Sequence, residues 1–326
     1  MRGERRSLRG VDSTVVAELA GGRLAHGRIV LLDGGLATTL ADTGHDLSGA
    51  LWSARLLVED PDAIVATHTA FLAAGAEVIT TASYQLASRS LSHAGLDPGD
   101  ADSLLARSVA LARRAIAAFD TNGEPPAIVA ASVGPYGAVL GGGAEYRGDY
   151  GVARDALRAF HAPRLDALAE AGPDLLACET LPSGDEVAAL AELIPGLGVP
   201  AWVSVTVGPD GTTTPEGQPL REALAPALDV DEVVAIGVNC CLPKLADQAL
   251  RELDGIDRPL VAYPNIGARW DDTARSWARE PTPIPDPEPW VAAGARLVGG
   301  CCGTGPDDLA QLSAMLTSAG PGQDAR

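Results

Sequence analysis

Residues 175–207 read LLACETLPSGDEVAALAELIPGLGVPAWVSVTV, and the fold turns on them. Leu175–Cys178 is a short apolar run, Asp185–Leu193 is helical in pattern, and Ala201–Val207 is a second apolar run. Neither run alternates with polar residues. Strands read this way when both their faces are covered, as in a parallel sheet, and a helix between two of them makes a βαβ unit. The same alternation continues outward in both directions. Apolar runs recur at Ile29–Leu32, Glu77–Thr81, Ile128–Val133, Val233–Val238, Leu260–Tyr263 and Arg296–Val298. Helical stretches recur at Pro61–Ala74, Ala101–Phe119, Gly151–Ala171, Leu220–Ala227, Leu245–Leu253 and Pro289–Ala293. Eight buried strands separated by helices predict an α/β fold of the (βα)₈ TIM-barrel type, in a single domain. A doubly wound open sheet competes, but it needs a glycine-rich phosphate loop after its first strand. Asp33-Gly34-Gly35-Leu36-Ala37-Thr38 lacks the third glycine and places an acid where a pyrophosphate would lie.

The chain has 326 residues, enough for one barrel with modest insertions. The expected boundaries are a flexible arm at 1–26, with a short helix around Ser13–Ala20, the barrel at 27–319, and a frayed tail at 320–326. The segments Gly134–Gly151 and Asn265–Pro289 are too long for ordinary strand-to-helix loops. Both follow strands, which puts them on the face where barrels carry their chemistry. With 46% apolar and 21% charged residues, the composition is that of a globular chain and excludes disorder. A net charge of −19 and a single lysine, Lys244, argue against nucleic acid and anionic membranes as partners. The basic N-terminus lacks a following apolar segment, and no run could span a bilayer, so a cytoplasmic location is expected.

The five cysteines are too few for a disulfide scaffold in a chain of this length. Their positions are informative, because Cys178, Cys240, Cys241, Cys301 and Cys302 all fall at the C-terminal ends of predicted strands. Cysteine is also a small, buried, strand-tolerant residue, and that reading suits Cys178 and one of Cys240 and Cys241. The pair Cys301-Cys302 lies between glycines, where the chain can turn and aim both sulfurs at one point. Three converging thiolates would form a tetrahedral zinc site with one open position. The spacing is not that of a zinc ribbon, so on this basis alone a metal site and a set of buried thiols both stand. None of the five histidines, His26, His45, His68, His93 and His161, sits at a strand end. A Ser-His-Asp hydrolase is therefore not expected.

The motifs LLDGGLATTL (31–40), ITTASYQLAS (79–88), SVGPYGAVLGGGAEYRGDY (132–150), LLACETLPS (175–183), GVNCC (237–241), YPNIG (263–267) and GGCCGTGP (299–306) go further. In this order the chain resembles the zinc-dependent homocysteine S-methyltransferases, in particular their single-domain branch using S-methylmethionine or S-adenosylmethionine. The resemblance implies a (βα)₈ barrel, Zn²⁺ as cofactor, and L-homocysteine as the acceptor that becomes methionine. It implies Cys240, Cys301 and Cys302 as metal ligands, with Cys241 standing where the family usually has another residue. It implies contact of the amino acid with Asp33 and with the amides of Gly34 and Gly35, and places Glu179 at the substrate amino group. Tyr136 and Asn265 would line the same cavity. Two segments depart from the family's usual wording, which is YPNSGE and LADGSEYRGDY: here they are Tyr263-Pro264-Asn265-Ile266-Gly267-Ala268 and LGGGAEYRGDY.

The implied chemistry suits the ligand set. A free thiol with pKa near about 8.5 is mostly protonated at neutral pH, and only its thiolate attacks. A coordinated thiol loses its proton outright, and an anionic thiolate-ligated ion leaves that sulfur nucleophilic. A cationic sulfonium donor is drawn to such a centre and departs as a neutral thioether, so catalysis is mainly positioning and nucleophile activation. Competing roles remain for single residues. Asp33 could cap the following helix, Glu179 could pair with a buried arginine, and Tyr84, Tyr136 and Tyr146 could be loop packing, though the resemblance carries Tyr136, in GPYGA, to the cavity. Trp52, Trp202, Trp270, Trp277 and Trp290 read as packing or surface cover. Competing functions are a selenohomocysteine or selenocysteine acceptor, a betaine-type donor, or a non-catalytic zinc or thiol redox sensor. The sequence sets no oligomeric state.

Overall fold

Every one of the eight apolar runs contributes a strand to the barrel in the computed structural model, which describes residues 28–47, 51–119, 126–266, 268–271, 276–279 and 283–318. The expected arm at 1–26 with its helix, and the tail at 320–326, lie outside the described residues. The strands are β1 (Val30–Leu31), β2 (Val78–Thr80), β3 (Ile128–Val133), β4 (Leu175–Leu181), β5 (Ala201–Val205), β6 (Val233–Asn239) and β7 (Leu260–Tyr263). An antiparallel pair, β8 (Ala268–Asp271) and β9 (Ser276–Arg279), follows, and β10 (Ala295–Val298) completes the set. The main sheet runs β1-β10-β7-β6-β5-β4-β3-β2, parallel throughout. A bridge between Leu32 and Val78 brings β1 against β2. Two backbone bonds hold that seam, Asp33 N–H to Val78 O at 3.1 Å and Glu77 N–H to Leu31 O at 2.8 Å.

The helices are α1 (Leu36–Asp42), α2 (Leu56–Glu59), α3 (Pro61–Ala73), α4 (Ser88–His93), α5 (Ala101–Ala118) and α6 (Tyr136–Leu140). They continue as α7 (Arg154–Glu170), α8 (Gly184–Leu193), α9 (Leu220–Leu228), α10 (Pro243–Leu253), α11 (Glu288–Ala292) and α12 (Pro306–Ser318). Local chemistry sets several of their starts. Asp60 accepts the Ala63 N–H at 3.2 Å with Pro61 in the first turn of α3, and Ser183 accepts the Glu186 N–H at 3.3 Å in α8. Each such cap is worth about 1 kcal/mol.

Two apolar clusters result. The larger fills the space between sheet and helices and includes Cys178 and Cys241. The smaller fills the lower barrel interior, where Trp202 is fully buried with Val30, Leu32, Val78, Leu175 and Leu297. Ala130, Ala177 and Ala235 belong to the same cluster, and their small side chains leave room for the indole. Trp290 is also fully buried and donates to the Asp247 carboxylate; the side chains of Trp52, Trp270 and Trp277 lie outside the described residues.

Strand β4 extends past the expected end at Cys178 to Leu181. The continuation holds because the polar groups of Glu179 and Thr180 find partners inside the barrel. Thr180 takes a left-handed φ of 60° where the β4–β5 register shifts, and Asn239 bonds both its N–H and its hydroxyl, each at 2.8 Å. Strand β5 stops at Val205, short of the expected Val207. The two long loops carry structure of their own: α6 and a 3₁₀ turn at Ala144–Tyr146 in the first, the β8–β9 pair and α11 in the second.

Candidate active site at the barrel mouth

Inward-facing rows on the barrel strands end in polar residues at the C-terminal side. Val78 is followed by Thr80, Ala130 by Ser132, Ala177 by Glu179, Trp202 by Ser204 and Val261 by Tyr263. Within this layer Ser132, Glu179, Ser204 and Tyr263 form one hydrogen-bonded network, and Thr80 bonds Asp33 separately. The Glu179 carboxylate accepts from the Ser132 hydroxyl and, at 3.0 Å, from the Tyr263 hydroxyl. Tyr263 in turn accepts the Trp202 indole N–H at 2.9 Å, and the Ser204 hydroxyl lies 2.9 Å from it and 2.8 Å from Asn239 Oδ1. Asp33 accepts from the Thr80 N–H at 2.7 Å and the Thr80 hydroxyl at 2.9 Å.

Above this layer lies a cavity of about 810 Å³, counting the space open to solvent. Asp33, Gly34, Gly35, Glu179, Cys240, Cys301 and Cys302 line it, together with Tyr84, Tyr146, Thr180 and an apolar wall of Leu36, Leu51, Ala54 and Ala82. Burial of Asp33 pushes its carboxyl up to about 7 against the opposing bonds from Thr80. Burial also lifts Glu179 to about 7 against the bonds from Ser132 and Tyr263. Two buried carboxyl groups raised by desolvation and sharing one cavity are the pattern of a functional site.

The three cysteines reach this mouth from two loops. Cys240 follows β6 directly with a left-handed φ of 52°, its N–H donating to Tyr263 O at 3.1 Å. After β10, the Cys301 N–H donates to Pro264 O at 2.9 Å and the Cys302 N–H to Asn265 Oδ1 at 3.1 Å. The chain passes so close here that a Cβ on Gly35 would lie 2.6 Å from Cys301 O. The sulfurs of Cys240 and Cys302 are 3.7 Å apart, those of Cys301 and Cys302 are 3.9 Å apart, and all three lie within 4.8 Å. An ion bound tetrahedrally through metal–sulfur bonds of about 2.3 Å separates its sulfurs by about 3.8 Å. The cluster therefore fits such an ion and leaves one position for an outside ligand. Hydrogen bonding with Cys301 and Cys302 holds the Cys240 thiol well below the usual value, while their own are pushed up.

Most of the residues expected at the site are together, with specific exceptions. Asp33 does not cap α1; the cap position is Gly35, with no side-chain bond. The Gly35 amide, expected at the substrate, is committed to Thr304 O at 2.9 Å. Glu179 has no arginine partner among the described residues; hydroxyl groups hold it instead. Tyr136 is not among the cavity-lining residues. Its hydroxyl accepts from Arg89 at 2.6 Å and its ring packs edge-on against Tyr150 and Phe160, because the turn into α6 points it away from the mouth. Asn265 acts one step removed, by holding the Cys302 backbone. Tyr146, read from sequence as loop packing, sits with its hydroxyl 3.0 Å from Cys240 Sγ. Its signal was the unusually long 134–151 loop that carries it. Cys178, pushed up to about 12 by burial, and Cys241 face the outer core and stand apart.

Known proteins match this chain along most of its length. The model of the homocysteine S-methyltransferase family matches residues 30–316. The homocysteine S-methyltransferase of Escherichia coli (strain K12) is 44% identical over 295 residues, covering 88% of this chain and 94% of that protein. Homocysteine S-methyltransferase YbgG of Bacillus subtilis (strain 168) is 36% identical, covering 89% and 95%. The crystal structure of the homocysteine methyltransferase MmuM from Escherichia coli in its metallated form superposes with a TM-score of 0.77 at 43% identity, over 88% of this chain and 96% of that one. A barrel with three clustered cysteines at its mouth, matched along nearly its whole length by these proteins, belongs to the homocysteine S-methyltransferase family.

Proposed function

We propose that the chain transfers a methyl group from a sulfonium donor, S-methylmethionine first and S-adenosylmethionine second, to the thiol of L-homocysteine, giving methionine. The observation that carries this is the triad of sulfurs from Cys240, Cys301 and Cys302 beside two buried carboxyl groups. Sulfur ligands without a histidine favour Zn²⁺ over oxygen-seeking ions. When bound by the three thiolates, Zn²⁺ would keep the acceptor sulfur deprotonated at neutral pH. The chain's own residues supply the remainder. Asp33 and Glu179 face the ammonium group, and their ionised forms are stabilised once it enters. Ser132, Tyr263 and Thr80 fix the two carboxylates by hydrogen bonds from neighbouring strands. Leu36, Leu51, Ala54 and Ala82 add apolar lining to the same cavity, suited to the aliphatic part of a donor. The donor's positive charge is lost as its methyl group leaves, so the developing neutral thioether needs no acid.

This reading assigns residues 27–319 to one homocysteine-binding barrel unit. A cytoplasmic location is supported by five free cysteines and by the absence, among the described residues, of any helix long and apolar enough to cross a membrane. The test is a methyl-transfer assay offering homocysteine with S-methylmethionine, S-adenosylmethionine or betaine in parallel, with methionine detected. Methionine formed from a sulfonium donor supports the proposal; none from any donor overturns it. A thiol sensor would cycle Cys301 and Cys302 oxidation without needing Asp33 or Glu179, whereas a methyltransferase fails when either carboxylate is removed.

A further inference from the structure

Arg164 is the one arginine among the described residues classed as buried, only 3% exposed on α7, and it lies outside the cavity. Burying a guanidinium costs several kcal/mol unless its donors are matched. Here three donor atoms meet three backbone carbonyls: Nε to Leu86 O at 2.9 Å, Nη1 to Gly134 O at 3.0 Å and Nη2 to Tyr84 O at 3.0 Å. The Phe160 ring covers the guanidinium face at 5.0 Å. All three carbonyls belong to the loops that leave β2 and β3 at the mouth. Between them sits Tyr84, which lines the cavity. Its ring rests on Gly134 so closely that a Cβ there would lie 2.6 Å from the ring edge. The same helix face carries His161, whose Nε2 lies 2.8 Å from the Glu186 carboxylate, and that carboxylate also accepts the Tyr136 N–H at 2.6 Å.

We propose that Arg164 is a positioning residue for the methyl-transfer site: its planar fork ties the β2 and β3 loops together and, with Gly134 as a floor, sets Tyr84 in the cavity wall. A lysine offers one point charge and cannot satisfy three carbonyls in this fan. The inference rests on the proposed function for its kinetic consequence, but not for its structural one.

The experiment is a double-mutant cycle with a spectroscopic partner. Arg164→Lys lowers kcat/KM about tenfold in the wild-type background and less than about twofold in Tyr84→Ala, because contacting residues couple. Gly134→Ala disturbs the same ring from below and shows the same non-additivity, which keeps the test open if Arg164→Lys folds poorly. All assays run well below each variant's melting temperature. The chain has 5 tyrosines, so fluorotyrosine labelling gives a countable ¹⁹F spectrum in which Tyr84→Phe and Tyr263→Phe each assign one line. Arg164→Lys shifts or splits that line and leaves the Tyr263 line in place. Equal fold-losses in both backgrounds, or a Tyr84 line that moves no more than that of Tyr263, would overturn the inference. A wild-type protein inactive on homocysteine sinks the proposed function instead, and the ¹⁹F result still decides the role of Arg164.

Discussion

The lower and upper halves of the barrel interior are built from the same strands and do opposite work. Below, Val30, Leu32, Val78, Leu175 and Leu297 surround Trp202 in an apolar cluster. One step up the same rows, Thr80, Ser132, Glu179, Ser204 and Tyr263 replace apolar side chains by a hydrogen-bonded layer beneath the cavity. The lower half stabilises the fold by removing apolar surface from water. The upper half holds Asp33 and Glu179 in an environment that raises both toward 7, which costs stability and prepares them for a cation. Removing a group below should therefore lower stability with little change in chemistry, and removing one above should do the reverse.

The largest effect should come from the metal cluster. Cys301→Ala takes the bound metal from about one ion per chain toward none, and methyl transfer falls at least about 10³-fold. Metal analysis of the purified protein with the activity assay checks both. Next, Leu175→Ala opens the lower interior and costs about 2–5 kcal/mol of stability. Denaturant unfolding measures this, and kcat/KM at low temperature should stay within a few-fold of wild type. An equally large kinetic loss would break the division between the halves.

Glu179→Gln keeps the shape and removes the charge, so KM for homocysteine rises about 10²-fold. The same change should raise the melting temperature at pH 8 by a few degrees, because a buried carboxylate no longer has to ionise. The pH dependence sharpens the point. Asp33 and Glu179 sit near 7 in the folded chain against 3.8 and 4.5 ordinarily. The native ligand-free chain thus keeps protons that the unfolded chain releases, and the stability contributed by the neutral forms is lost as pH rises from about 4 through about 7. Ammonium binding has the opposite slope, since it needs the carboxylates ionised. Methionine carries the ammonium without a thiol, and its affinity should rise about tenfold between pH 6 and 8. A flat calorimetric profile would remove the carboxylates from the ammonium site. The smallest change is Tyr146→Phe, which deletes the hydroxyl 3.0 Å from Cys240 Sγ and should lower kcat about two- to fivefold.

The strands were legible because burial on both faces leaves an uninterrupted apolar signature, and Ile128–Val133 and Leu260–Tyr263 match residue for residue. The end of β4 was not, because Glu179 and Thr180 read as loop until their partners are known. Those partners are distant in sequence: Ser132 is 47 residues from Glu179, Tyr263 is 84, and Asn239 is 59 from Thr180. The cysteines were legible through their common placement after strands and through the family motifs. Tyr136 and Tyr146 share one long loop, yet the first bonds Arg89 outside the cavity lining while the 3₁₀ turn brings the hydroxyl of the second to Cys240.

Residue order by itself determined the eight barrel strands, their parallel sense and the strand ends that carry the chemistry, since hydrophobic periodicity and chain connectivity are local properties. The antiparallel β8–β9 pair was not foreseen. Tertiary structure alone decided which side chains share the mouth. Closing the barrel brings Cys240 within 3.7 Å of Cys302 and lays the Tyr263 hydroxyl on Glu179. Arg164 likewise meets carbonyls 30, 78 and 80 residues away. Contacts of that kind are set by strand register and loop closure, which no short window of sequence contains.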